Sequence, residues 1–259
     1  MVDGLVSVIV PVYNGEQYLN EALDSIRRQG HPAIEILVVD DGSTDRSAQI
    51  AREAGPGVRL LSQPHGGLPV ARNHGLLEAK GEYIGFLDCD DVWTEEKLST
   101  QLDILGRYPD IAIVLGHTRQ MWRLPTADGT PGEMRMADPV LALSLGGALI
   151  RRTAVALVGR FDEAISHSHD WDWFMRAREL GVVLVVHDDV TVLYRRHGGN
   201  MTNQWSETMT SFAQVIQKSI ARRRSQGQAI SLPQLLTLAD HLRHGATRMP
   251  MGGRTAGDP

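Results

Sequence analysis

The feature that most constrains this chain is the alternation of two periodicities along residues 1–115. Short β-branched runs recur at Leu5–Val10, Ile34–Val39, Val58–Leu61, Tyr83–Leu87 and Ile111–Leu115. Between them lie segments with helical spacing. Leu19, Ala22, Leu23 and Ile26 share one face, Val70–Ala79 end at Gly81, and Leu98, Leu102 and Leu105 line a third helix. Strands that alternate with helices predict an α/β fold, a mostly parallel sheet flanked by helices. Ser43 or Thr44 is expected to cap the helix after the second strand, with Asp45 in its first turn. Thr94 is expected to cap the helix after the fourth, with Glu95 and Glu96 in its first turn.

The second half is less regular. Gly146–Ile150 and Val182–Val186 read as strands, Thr153–Val158 as a short helix, and Asp170–Leu180 as a longer helix stopped by Gly181. Residues 124–139 carry Pro, Gly, Asp and Thr and read as a loop. Trp205, Met209, Phe212, Ile216 and Ile220 mark an amphipathic helix, and Leu232–Leu242 another. Residues 245–259, rich in Gly and Pro, are expected to fray.

Composition removes several classes of function. A net charge of −5 gives no broad basic surface, so non-specific nucleic-acid binding is not expected. A single cysteine, Cys89, excludes an internal disulfide and a Cys-rich zinc site. The N-terminus reads as a first strand and not as a signal peptide, and no apolar run approaches the ~18 residues of a membrane span. A cytoplasmic protein is expected, with contact to a membrane, if any, made from its surface.

Asp88-Cys-Asp90-Asp91 ends the fourth strand, and ligands in open α/β sheets sit at strand carboxyl ends. Side chains two apart on an extended chain point the same way, so Asp88 and Asp90 can share one divalent cation. The plain alternative is an acidic cap before the next helix, a role suited to Asp91. Cys89 between them is small enough to be packing. Asp40-Asp41 end the second strand, where a carboxylate can accept a hydrogen bond from a base such as uracil; Pro11-Val-Tyr13-Asn14 end the first, where an aromatic ring can bracket that base. Arg72, early in the third helix, suits a phosphate, although a surface salt bridge explains it more cheaply.

Four ordered blocks carry a resemblance: Ser7–Asn14, Ile36–Asp45, Ala71–Gly75 and Gly81–Asp91. Together they resemble family-two glycosyltransferases of the GT-A fold, over roughly the first 200 residues. The resemblance implies an inverting enzyme with a nucleotide-sugar donor, usually UDP-linked, and Mn²⁺ or Mg²⁺. It implies that Asp41 contacts the base, that Pro11 and Tyr13 flank it, that Arg72 approaches the diphosphate, and that Asp88 and Asp90 form the metal motif around Cys89. In the family an acidic pair opens a later helix and its second member is the base. Here that pair is His169-Asp170, so Asp170 takes the role and His169 replaces a glutamate. Tyr194–Thr202 resembles a late block whose histidine completes the metal or diphosphate site, which nominates His197. No Gln-x-x-Arg-Trp is present, unlike the processive synthases.

The expected organisation is a GT-A domain over 1–202, with a nucleotide half (1–115) and an acceptor half (116–202). A helical extension follows at 203–244, then a disordered tail at 245–259. The acceptor hydroxyl, on a saccharide, lipid, peptide or small molecule, is left open.

Asp170 also suits a helix N-cap, and both roles can coexist. Trp171 and Trp173, two apart on a helix, cannot share a face, so at most one stacks on a sugar. Gly146-Gly147 fit a close approach to the donor sugar or a tight turn equally. Arg222-Arg223-Arg224 read as a solvated helix end, and the nine methionines as core filler.

Three rivals are weighed. A nucleotidyltransferase acting on a sugar phosphate needs a Gly-rich basic loop after the first strand, and a dehydrogenase needs G-x-G-x-x-G; neither is present. A zinc hydrolase built on His167 and His169 lacks spacing for its other ligands. A catalytically inactive nucleotide-sugar-binding module would lack the carboxylates found here.

Overall fold

The computed structural model describes residues 4–125, 131–227 and 235–244. The elements run β1 (Val6–Val12), α1 (Leu19–Arg27), β2 (Ile34–Asp40), α2 (Ser47–Glu53), β3 (Val58–Ser62), α3 (Leu68–Glu78), β4 (Tyr83–Phe86) and β5 (Val92–Trp93). They continue with α4 (Lys97–Arg107), β6 (Ile113–Pro125), β7 (Pro131–Met136), β8 (Ala148–Arg151), α5 (Arg152–Val158), α6 (His169–Glu179) and β9 (Leu184–Arg195). Last come α7 (Trp205–Ser225), β10 (Leu236–Thr237) and α8 (Leu238–His244).

One sheet holds the chain together in the order β10-β9-β6-β8-β4-β1-β2-β3. The strands β3, β2, β1 and β4 are mutually parallel, as are β6, β9 and β10, and β8 runs against both its neighbours. The chain leaves β1 to one side for β2 and crosses to the other for β4. That reversal opens a crevice at the carboxyl ends of β1 and β4.

All seven residues of β1 are buried, because helices cover both faces. Val6, Val8, Val10 and Val12 pack with Leu19, Leu23 and Ile26 of α1, while Ile9 packs with Ala71 of α3 on the other face. A Cβ on Gly75 would stand 2.5 Å from Ile9 Cγ2, so only glycine lets α3 lie this close to β1.

Several elements differ from the sequence reading. Residues 124–139 are not simply a loop: β6 runs to Pro125, and β7 pairs antiparallel with it. Pro131 opens an edge strand, where a missing donor costs no ladder bond. β9 extends nine residues past Val186, its apolar run interrupted at Asp188-Asp189, where its register with β6 shifts. The helix after β2 starts at Ser47, so neither Ser43 nor Thr44 caps it; Asp45, outside it, accepts from Ser47 N at 2.9 Å. Thr94 does not cap α4 either, because its hydroxyl donates to Val190 O. Its neighbours Val92-Trp93 form the short strand β5 against β9.

The helix α7 buries Ser211, Val215, Ser219 and Arg223, a face rotated by one residue from the apolar stripe, and leaves Trp205 and Met209 exposed. Ser219 Oγ donates to Glu179 Oε1, and half-buried Arg222 bridges Glu179 and Asp172. Arg222 and Arg223 are therefore not a solvated end, while Arg224 is exposed. Met121 and Met175 are core, but Met136, Met201 and Met209 are exposed. Of the segment 232–242, residues 232–234 lie outside the described residues, 236–237 form β10, and α8 follows. Residues 245–259 also lie outside them.

Candidate active site

Three strand ends and one helix start converge on the crevice. At the first, Tyr13 is half exposed and Asn14 takes a left-handed φ of 52°, a conformation asparagine tolerates better than most residues. Asn14 is stitched to the next strand end: its N–H donates to Ser43 Oγ and its Oδ1 accepts from Thr44 N.

At the second strand end Asp41 is buried and its carboxylate is fully engaged. Oδ1 accepts from Gln63 Nε2 (2.7 Å) and Gly66 N (2.9 Å), and Oδ2 from Gly67 N (2.8 Å), with His65 Nδ1 2.9 Å away. The His65 ring stacks on Tyr13, centroids 4.1 Å apart. Gly42, at φ +79°, permits this, since a Cβ there would sit 2.9 Å from His65 N. Gln63 and His65 were missed from sequence. Their signal was Gln63-Pro-His65-Gly-Gly67, a polar turn directly after β3. A base reaching Asp41 must displace one of these donors.

At the end of β4, Arg72 meets the acidic turn. Arg72 Nη2 donates to Asp88 Oδ1 at 2.7 Å, and Nη1 contacts His169 Nε2 at the start of α6. Arg72 is buried, so the surface salt-bridge reading does not hold. Burial, and then the Arg72 charge, hold the His169 imidazole well below its usual pKa, so the neutral ring accepts from the guanidinium. Among the described residues, Arg72 Nε and His169 Nδ1 have no hydrogen-bond partner.

Asp90 Oδ2 lies 2.9 Å from His197 Nε2, and the His197 ring stacks on Tyr18. Burial and the neighbouring Asp88 raise the Asp90 carboxyl, which the His197 contact opposes. Asp91 is buried but does not cap α4. Its Oδ1 accepts from Arg195 N, and burial, with Asp90 and Asp88 beside it, pushes its carboxyl well up. Arg195 ties the turn together: Nε donates to Asp90 O, Nη2 to Glu21, and its guanidinium faces the Tyr18 ring. Cys89 packs against Gly15, and burial, then the three carboxylates, raise its thiol well above the usual range. Pro11 lies within β1, paired in register with Val39, behind this rim.

Asp170 is the second residue of α6 and not its N-cap, a position held by Ser168 in a left-handed conformation. The protein around Asp170 raises its carboxyl, and Arg72 opposes this. Trp173 is core, its Nε1 donating to Gly159 O, whereas half-buried Trp171 packs edge-on against Phe212. Gly146 and Gly147 lie in a 3-10 turn whose carbonyls accept from Trp93 and Gln101, the tight-turn reading.

The donor set suits a hard divalent cation. Asp88 and Asp90 supply carboxylate oxygens, His197 a nitrogen in contact with Asp90, and burial, then the crowding of the carboxylates, raises the Asp90 and Asp91 carboxyls. Among the described residues no three His, Cys, Asp or Glu side chains are already gathered as a metal centre.

Comparison with known proteins agrees with this architecture. The model of "Glycosyl transferase family 2" matches residues 7–135. An uncharacterized glycosyltransferase of Rickettsia typhi is 31% identical over 211 residues, covering 77% of this chain and 66% of its own length. Glycosyltransferase GlyA of Streptococcus pneumoniae is 46% identical over 118 residues, 44% of this chain and 17% of GlyA. The chain thus spans no more than about two thirds of these relatives.

Among solved structures, TarS 1-349 of S. aureus in complex with UDP-GlcNAc superposes with a TM-score of 0.64 at 24% identity, covering 83% of this chain and 66% of that one. The mannosyltransferase PcManGT of Pyrobaculum calidifontis, in complex with GDP-Man and Mn²⁺, gives 0.63 at 21%, covering 83% and 64%. Both share the fold. The chain belongs to glycosyltransferase family 2, with the GT-A architecture. No helix among the described residues is long and apolar enough to cross a membrane.

Proposed function

We propose that this chain transfers a hexosyl group from a nucleotide diphosphate sugar to an acceptor hydroxyl, with inversion. The observation that carries the reading is the placement of Arg72. One buried guanidinium contacts both Asp88, at the acidic turn, and His169, the residue before Asp170. That puts a fixed cation, a carboxylate pair and a carboxylate with raised pKa around one crevice.

Each residue then has a task. Tyr13 offers a ring face to the base, at the rim where His65 now stacks. Arg72 presents a forked donor set to the diphosphate, and its buried position fixes the direction of those donors before substrate arrives. Asp88, Asp90 and His197 would hold Mn²⁺ or Mg²⁺, which supplies positive charge to offset the departing diphosphate. Asp170 accepts the proton of the acceptor hydroxyl as that oxygen attacks the anomeric carbon. A raised carboxyl is the better base for this, because its conjugate acid is weaker. A UDP-linked donor is favoured by the resemblance and by TarS, whose structures hold UDP and UDP-GlcNAc; the GDP-Man and Mn²⁺ of PcManGT support a divalent cation.

The test is thermal stabilisation by a panel of UDP-, GDP- and other nucleotide sugars, with and without Mn²⁺. A ligand that binds only the folded state raises Tm by mass action. A metal-dependent shift for one nucleotide class is expected; no shift with any donor would end the proposal.

A further inference from the structure

Beside the crevice, the first half of α7 and the segment before α6 form an open cavity of about 290 Å³, near the ~300 Å³ lower end of small-molecule sites. Its lining is Ser166, Ser206, Glu207, Thr210, Ser211 and Gln214. The five residues from α7 fall on one stripe, as i, i+3 and i+4 spacing requires.

The cavity walls are pinned to both ends of the candidate active site. On one side Ser211 Oγ donates to His167 O, and Gln204 Oε1 meets His167 Nε2 at 3.1 Å, two residues before His169. On the other, Asn203 Nδ2 donates to the carbonyls of His197 and Gly198, next to the Asp90 contact. Ser166 is four residues from Asp170, so at 3.8 Å per step its Cα lies within ~15 Å of that of Asp170.

The chemistry of the lining selects the ligand. Every lining side chain carries a hydroxyl, a carboxylate or an amide. Hydroxyls and the Gln214 amide both donate and accept, and Glu207, whose side chain is mostly exposed, can accept from adjacent hydroxyls. No lining residue is Lys or Arg, and the nearby His167 Nε2, 3.8 Å from Glu207, already faces that carboxylate, so a phosphate would meet a like charge. We infer that this cavity is an acceptor subsite for an uncharged saccharide unit, recognised through its hydroxyls by Glu207, Gln214 and the serine and threonine hydroxyls. This rests on the glycosyltransferase reading and narrows its acceptor to a carbohydrate.

The experiment uses the full chain and saturation-transfer NMR with glucose, galactose, mannose, N-acetylglucosamine and N-acetylgalactosamine, and with glycerol 3-phosphate and octanol as contrasts. At least one sugar is expected to bind above both contrasts. Thr210→Trp, which fills the cavity from an exposed flank of α7, is expected to abolish that binding, while the Mn²⁺-dependent stabilisation by the nucleotide stays as in wild type. If Thr210→Trp loses its cooperative unfolding transition, the pair Glu207→Ala and Gln214→Ala replaces it, each with a roughly tenfold weaker sugar affinity, equivalent to about 1.4 kcal/mol. Nucleotide binding without any sugar binding, sugar binding that survives the filled cavity, or stronger binding of glycerol 3-phosphate or octanol overturns the subsite and leaves the donor reading standing. Loss of nucleotide binding in wild type would instead strike the donor reading.

Discussion

His197 Nε2 lies 2.9 Å from Asp90 Oδ2, across 107 residues of sequence. The imidazole is held there by Tyr18 on its face and by its own backbone N–H, which donates to Asn200 Oδ1. A residue of the late chain is thus placed against the acidic turn before any ligand arrives.

If that pair grips a cation, Asp90→Ala removes Mn²⁺-dependent nucleotide binding and transfer together. His197→Ala weakens both by roughly tenfold to a hundredfold, the scale of lost support at metal sites. The check is the Tm shift with nucleotide and Mn²⁺, beside transfer assays in excess chelator. Transfer that persists in chelator would remove the metal from the scheme.

Asp170→Asn keeps the shape of α6 but cannot take a proton. Transfer should fall by about 10²–10⁴, with donor affinity unchanged. In wild type the carboxylate works only when ionised, so activity is lost as pH falls through its pKa. Because burial raises that pKa, with Arg72 in opposition, the acid limb of kcat should lie above the ~3.9 of an ordinary aspartate. Near-normal turnover by Asp170→Asn would dismiss it as base.

Lys97 is buried and, among the described residues, has no carboxylate partner. Its ammonium is held by Gln101 Oε1, Ala148 O and the Trp93 ring. Burial pushes its pKa well below 10.5, so between the folded and unfolded values the unfolded chain binds more protons. Stability attributable to Lys97 therefore rises with pH across that interval and levels off above the unfolded value of ~10.4. Urea unfolding of wild type and Lys97→Met over a pH series should show the rise in wild type alone. Parallel curves would mean that Lys97 stays charged at no cost.

Much of this was legible from sequence because it rests on long, unbroken runs. β1, β2 and β4 are buried on both faces, so apolar character is continuous, and the runs of β2 and β4 end where the acids begin. What escaped was local structure decided by distant partners. β5 is two residues long and exists because β9 pairs with it. The face of α7 was misread because Ser211 and Ser219 are buried through bonds to α6 and its approach, which periodicity cannot see. In the site, Asp88, Asp90, Arg72, Asp170 and His197 were nominated from blocks and do converge. The donors around Asp41 and the bridge from Arg195 to Asp91 depend on chain crossings that no single block contains.

The close approach of α3 to β1 gives a test of packing. Gly75→Ala places a methyl 2.5 Å from Ile9 Cγ2, and overpacking of this kind costs about 1–3 kcal/mol. Ile9→Ala in the same chain removes both γ carbons that the methyl would strike and should couple to it, read as a non-additive double-mutant cycle by thermal unfolding. Strict additivity would show that the helix simply shifts outward.

Arg195 also sets an order of events during synthesis. The acidic turn at 88–91 emerges early, yet the backbone N–H that Asp91 accepts from and the side chain that seats Asp90 arrive only with residue 195. At ~5–20 residues per second, a nascent chain carries that turn unfinished for roughly 5–20 s. During that interval Arg72 is already on hand for Asp88, while Asp90 and Asp91 stand without their arginine clasp.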